Sequence, residues 1–211
     1  MRKLLICVLP ALLLSIGIAR AQKNIKLKTG DLIFQNLDCG PLCDAINAVT
    51  QGYKGNKFSH MGMVMLRNDS VLIIEASGKN VHLTPLKTFL SKSAHPHYAG
   101  RLKPAYQKII PAAIEFSMQQ MGVLYDDQYL YDNGKYYCSE LIYDAFKAAN
   151  SNKPFFKLFP MTYKEPGSGA FFQVWKVYFE HLKMPVPEGK PGCNPGGISL
   201  SDKIDILGQY K

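Results

Sequence analysis

No basic run with interleaved aromatic side chains occurs in this 211-residue chain. Its 25 Lys and Arg against 16 Asp and Glu give a formal net charge of +9, but the lysines are scattered. Nucleic acid is therefore not an expected partner. Internal repeats, low-complexity tracts and signs of a second domain are also missing. Metal-ligand patterns are sparse: Cys39 and Cys43 form a C-x-x-x-C that matches no strong zinc spacing, and no histidine pair stands beside it. No metal or cofactor is expected.

The apolar run from Leu4 to Ile18 falls short of the roughly 20 residues that a membrane-spanning helix needs. Arg2 and Lys3 precede it and Ala19-Arg20-Ala21 follows, the layout of a secretory signal cleaved before Gln22. Residues 1–21 are read as a signal peptide and 22–211 as one domain, exported to the periplasm or beyond, with no stable membrane anchor after cleavage. Losing Arg2, Lys3 and Arg20 takes the formal charge from +9 to +6. Four cysteines remain, Cys39, Cys43, Cys138 and Cys193, in a compartment that permits disulfides. Three full pairings are open to them. If Cys138 must stay reduced, any bond is drawn from the other three.

Tyr136-Tyr137-Cys138-Ser139-Glu140-Leu141 places a cysteine at a helix start. Leu141, Ile142, Ala145, Phe146 and Ala149 recur at helical spacing after it, and the helix ends near Asn150. A thiol at a helix start meets unpaired N–H groups and the positive dipole end, which favour thiolate. Upstream, Phe58 to Leu66 and Val71 to Ala76 read as strands joined by a turn at Arg67 to Ser70. Pairing Leu66 with Val71 sets His60 opposite Ser77 and Gly62 opposite Glu75, all on one face. His60 and Glu75 become diagonal neighbours, roughly 7–8 Å apart at Cα. The shared face is expected to look toward the Cys138 helix. A thiol nucleophile needs a base, and the base an orienting group; Cys138, His60 and Glu75 supply the three.

Other segments read more simply. Thr29-Gly30-Asp31 is a turn before a Leu32-Ile33-Phe34 strand, with Asp31 a turn former. Pro41 opens a helix with Leu42, Ala45, Ile46 and Val49 on one face, ending near Gly52. Thr84 to Ser91 is expected as a short helix and Tyr98 to Leu102 as a strand. His95-Pro96-His97 is a solvated loop and Pro111 to Met121 a helix. The stripe Phe171, Phe172, Trp175, Tyr178, Phe179 and Leu182 is one amphipathic helix whose apolar side is core. Pro185 to Gly197, rich in proline and glycine, is expected as an extended loop, and Lys203 to Leu207 closes the chain. Glu140 sits in a first helical turn, where its charge favours the dipole.

Four motifs in order, Gly30-Asp31-Leu32-Ile33-Phe34, Ser59-His60-Met61-Gly62-Met63-Val64, Ile74-Glu75-Ala76 and Tyr137-Cys138-Ser139-Glu140-Leu141, resemble the YiiX-like branch of the NlpC-type papain-like enzymes. In that branch the papain order is circularly permuted, with histidine before cysteine. The resemblance runs from about Gly30 to Asn150, and Pro185 to Gly192 is similar to tails of some members. It implies an α+β fold, an antiparallel sheet packed against helices with the nucleophile at a helix N-terminus. It also implies Cys138 as nucleophile, His60 as base, Glu75 as third polar residue, and Tyr125 in Gly122-x-x-Tyr125-Asp126 near the site. The backbone N–H of Cys138 is a natural oxyanion donor, with Tyr125 a substrate-binding or oxyanion candidate. The expected activity is a cysteine amidase or peptidase working through a thioester. Its substrate would be a cell-wall peptide, an N-acyl amine or a lipid. Acyl transfer or lipid hydrolysis on the same triad, and a non-catalytic envelope binding module, are the alternatives. Fold analogy names no substrate or oligomeric state.

Overall fold

The computed structural model describes residues 25–210. The expected signal peptide lies outside the described residues. Strand β1 (Leu32–Gln35) is buried along its whole length, which marks it as a central strand. A nine-residue helix, α1 (Pro41–Val49), follows, and then β2 (His60–Arg67) and β3 (Ser70–Ser77). The turn between the strands places Asn68 and Asp69 at φ 46° and 60°. Asn and Asp tolerate this left-handed backbone, which a tight two-residue hairpin demands. The turn fixes Leu66 opposite Val71, the register expected from the sequence.

The chain then turns at Gly78, φ 57°, and returns as β4 (Asn80–Pro85) beside β3. Thr84 and Pro85 therefore belong to a strand, and helix α2 covers only Leu86–Leu90. The expected helix from Thr84 starts too early because Val81 and Leu83 alternate with polar residues in an extended run. Strand β5 is His97–Leu102, helix α3 Ile110–Gln119 and helix α4 Cys138–Ala149. Short β6 (Phe159–Pro160), helix α5 (Gln173–His181), short β7 (Pro191–Gly192), helix α6 (Pro195–Ser199) and β8 (Ile204–Tyr210) complete the chain.

Six strands form one antiparallel sheet in the order β4-β3-β2-β1-β5-β8. Alternation along the strands divides the core. Leu32, Phe34, Met61, Met63, Ile74 and Ala76 pack with Leu141, Ile142, Ala145 and Phe146 of α4. Ile33, Val64, Ile73 and Ala99 pack with Phe89 of α2 on the other side. Gly62 belongs to this second face, and a methyl group there would run into Ile73 Cγ2 and the Ile74 carbonyl. A third cluster joins Ala45 of α1, Tyr163, and Trp175 and Phe179 of α5.

Three further expectations need correction. Pro185 to Gly197 is not a plain loop: β7 pairs with β6, and Pro195 starts α6. Proline is tolerated at a first helical position, where its missing N–H has no helical partner, and Asn194 Oδ1 caps that helix by accepting from Gly197 N at 2.7 Å. His97 opens β5 and is buried rather than lying in a solvated loop. Glu140 is fully buried, with its carboxyl pushed up to about 8, chiefly by burial. Near neutral pH it is largely uncharged, and its oxygens accept from Asp132 N and Tyr137 N at 2.9 and 3.4 Å. Asp31 is the expected turn former, accepting from Lys28 N, and it also takes a bidentate ion pair from Arg101 at 2.7 Å.

Candidate active site

Cys138 is the first residue of α4, and two contacts fix that helix start. Cys193 N donates to the Tyr137 hydroxyl and Ser139 Oγ donates to the Cys193 carbonyl, each at 3.1 Å. The residues on either side of Cys138 are thus tied to the segment between β7 and α6. Cys138 itself is unpaired and nearly buried. The disulfide joins Cys39 to Cys43. Cys193 is free and buried, and burial pushes its thiol far up, which makes it a poor nucleophile.

His60 and Glu75 lie on one face of the β2–β3 hairpin and meet directly, Nε2 to Oε2, at 2.6 Å. That face carries Phe89, whose ring centroid is 5.6 Å from that of His60. It is not the face on which the body of α4 packs. Cys138 instead comes to the end of the sheet where β2 begins, and it lines the same cavity as His60, the first residue of that strand. Its Sγ lies 3.9 Å from the carbonyl oxygen of Ser59. Glu75 engages Nε2 of the His60 ring.

Glu75 is completely buried, a costly position for a carboxylate unless it is paired. Oε1 accepts from Thr84 Oγ1 at 2.5 Å and from Lys92 Nζ at 2.6 Å, with His82 Nε2 at 3.7 Å. Burial pushes this carboxyl up, but the hydrogen bonds and charges around it, led by His60, hold it at about 2. Burial pulls His60 down. The charge and hydrogen bonding of Cys138, and then of Glu75, outweigh it, and the imidazole is raised to about 9. Thr84 and Lys92 were not singled out in the sequence. Thr84 would have been found by recognising β4, where it shares the face of Glu75; Lys92 leaves no local signal.

His60, Cys138 and Tyr125 line one cavity of about 440 Å³. Burial, and then the charges of Tyr129 and Cys138, push the Tyr125 phenol well above its ordinary value, so it remains a donor. Trp175 and Tyr178, expected as core only, also line this cavity. His95 is exposed and His97 buried; both lie outside this cavity, and burial lowers the titration of His97.

A family model described as permuted papain-like amidase enzyme, YaeF/YiiX, C92 family, matches residues 26–195. The chain belongs to that family. The described fold agrees with membership: an α+β, papain-like arrangement of antiparallel sheet and helices. The uncharacterized protein YiiX of Escherichia coli (strain K12) is 28% identical over 128 residues, 58% of each chain. The match thus spans under two thirds of that relative's length. The crystal structure of the metalloprotein yiiX from Escherichia coli O157:H7 superposes with a TM-score of 0.65 at 21% identity, covering 87% of this chain and 97% of that one. At that identity the likeness is one of fold. Among the described residues here, no group of three or more His, Cys, Asp or Glu is arranged to hold a metal ion.

Proposed function

We propose that this family member is an exported cysteine amidase in which Cys138 is the nucleophile, His60 the base and later acid, and Glu75 the orienting carboxylate. The observation that carries the reading is the buried 2.6 Å contact between His60 Nε2 and Glu75 Oε2, with Cys138, at a helix start, lining the same cavity as His60. A carboxylate held near 2 beside an imidazole held near 9 favours an imidazolium at neutral pH. That is the partner a thiolate needs. Thiolate attack on an acyl carbon gives a tetrahedral oxyanion, which the Cys138 N–H at the helix start can bind, with Tyr125 Oη a second donor. The imidazolium protonates the leaving nitrogen, and water, deprotonated by His60, then cleaves the thioester. Export draws support from the leader-like sequence at 1–21 and from the Cys39–Cys43 disulfide, a bond favoured outside reducing compartments.

The test is kinetic, on fluorogenic acyl amides of 7-amino-4-methylcoumarin. Cys138→Ala is expected to abolish turnover and His60→Ala to lower kcat by roughly 10²–10⁴-fold or more. Glu75→Gln should cost less, since it keeps much of the geometry and loses the charge. These losses will not add in a coupled unit. Wild-type turnover by folded Cys138→Ala protein would defeat the proposal.

A further inference from the structure

Besides His60, Glu75 has two basic neighbours, His82 and Lys92. His82 stands directly opposite Glu75 on β4 and brings Nε2 to 3.7 Å from Oε1. Its Nδ1 lies 2.9 Å from the Asn80 carbonyl oxygen. A carbonyl only accepts, so Nδ1 carries the hydrogen, and in the neutral ring Nε2 has none to give Glu75. Lys92 brings Nζ to 2.6 Å from the same carboxylate oxygen and to 3.3 Å from Ser77 Oγ. Thr84 Oγ1 donates to Oε1 as well but carries no charge. The ammonium is therefore the cation on Oε1, as His60 is on Oε2.

The fold holds Lys92 in this place. It follows α2, its backbone N–H donates to the Phe89 carbonyl at 3.3 Å, and Nζ lies 5.6 Å from the centroid of the Phe89 ring. Gln35 stands directly opposite His60 in the β1–β2 ladder and is fully buried. Its Nε2 donates to the Phe89 carbonyl at 3.1 Å, and Ser93 Oγ donates to the Asn36 carbonyl. The end of β1, beside His60, thus ties down the segment that carries Lys92. Ordering a lysine costs side-chain entropy, which an exposed ion pair rarely repays. Here the partner is a carboxylate with 0% of its side chain exposed, against 30% for Lys92.

We propose that Lys92 is a positioning residue of the candidate active site, whose ammonium balances Glu75 and thereby sets the pH range over which His60 holds its proton and gives it up. The inference rests on the cysteine-amidase reading for its link to turnover; the effect on His60 follows from the contacts alone. The charged groups that act on His60 are Cys138 and Glu75, and those on Glu75 are His60, His82 and Lys92. Lys92 is among the groups that hold the Glu75 carboxyl down. With Cys138 as thiolate and His60 as imidazolium, the Glu75 carboxylate and the Lys92 ammonium complete a balanced set. Without the ammonium a buried negative charge is left uncompensated, and every nearby group holds its proton more tightly. His60 then yields its proton to a leaving nitrogen less readily. Lys92 does not line the cavity, so it acts through Glu75 and does not touch substrate.

The test follows the His60 ring by NMR titration in the full chain. Lys92→Met keeps the length and removes the charge, Lys92→Gln keeps a hydrogen-bond donor without the charge, and Lys92→Arg keeps the charge. The His60 titration is expected to move up by about half a pH unit or more in Lys92→Met and Lys92→Gln, and to stay at the wild-type position in Lys92→Arg. On acyl coumarin amides, both limbs of the kcat profile should move up together in the uncharged variants, with KM little changed. A His60 titration that does not move in folded Lys92→Met or Lys92→Gln would overturn the role, whatever happens to turnover. So would a shift shared by Lys92→Arg, or an equal shift from His82→Asn. Turnover lowered at every pH with neither limb displaced would make Lys92 a structural ion pair and overturn it too. If His60 moves as expected but turnover survives Cys138→Ala, the amidase reading falls and the control of His60 by Lys92 stands.

Discussion

His60 is where the chemistry and the stability of this molecule meet. Its pKa is raised from 6.5 to about 9, so its protonation stabilises the fold fully below 6.5, and that contribution is lost as pH rises through about 9. Glu75, lowered from 4.5 to about 2, contributes above 4.5 and loses its contribution as pH falls through about 2. The pair therefore stabilises most between about 4.5 and 6.5. Urea midpoints should fall from pH 6.5 to 9 in wild-type protein and fall less in His60→Ala, which lacks the titrating group. NMR titration should find the His60 ring near 9, and Cys138→Ala should bring it down, because Cys138 supplies the largest of the raising influences. A His60 ring that titrates near 6.5 in wild-type protein would contradict this account. The His60–Glu75 pairing was legible in sequence once Leu66 was set opposite Val71, the register the strands adopt, although Asn68-Asp69 is a weaker turn signal than Asn-Gly and a one-residue slip would have parted the two side chains. The Lys92 ammonium on Glu75 was not, since nothing local distinguishes one scattered lysine from another.

Among the elements, α4 depends on a distant partner. Its amphipathic period from Leu141 to Phe146 was readable from spacing alone, and so was its start at Cys138. What holds that start was not readable: Cys193 lies 56 residues beyond Tyr137, in a stretch whose prolines and glycines argued for loose chain. Pro195 there opens a helix, and the buried Cys193 backbone is satisfied by Tyr137 and Ser139. Tyr137→Phe removes the acceptor for Cys193 N and leaves that buried N–H unpaired. A loss of about 1–3 kcal/mol in unfolding free energy is expected from denaturant titration. An unchanged midpoint would show the tie to be dispensable. Strand β4 was missed for a different reason: its alternation is short and runs into Pro85, which reads equally well as the approach to a helix.

For the whole molecule, the sheet and its helices bring His60, backed by the buried Glu75, and Cys138 to a cavity whose walls come from elements as far apart as α1 and α5. The strand pattern and the order of motifs were legible because strands and helices have their own periods. The cavity was not, because α1 and α5 meet only in the folded chain: the aromatic stripe of α5 reads as core, yet Trp175 serves both core and cavity. The most direct test of the central claim is capture of the covalent intermediate. Wild-type protein is mixed with an activated acyl ester, quenched in acid during the first turnovers and mapped by peptide mass spectrometry. The account predicts one acyl group on Cys138, released by neutral hydroxylamine and not formed by Cys138→Ala. Continued turnover with Cys138 unmodified, or acylation of Cys193 instead, would contradict it.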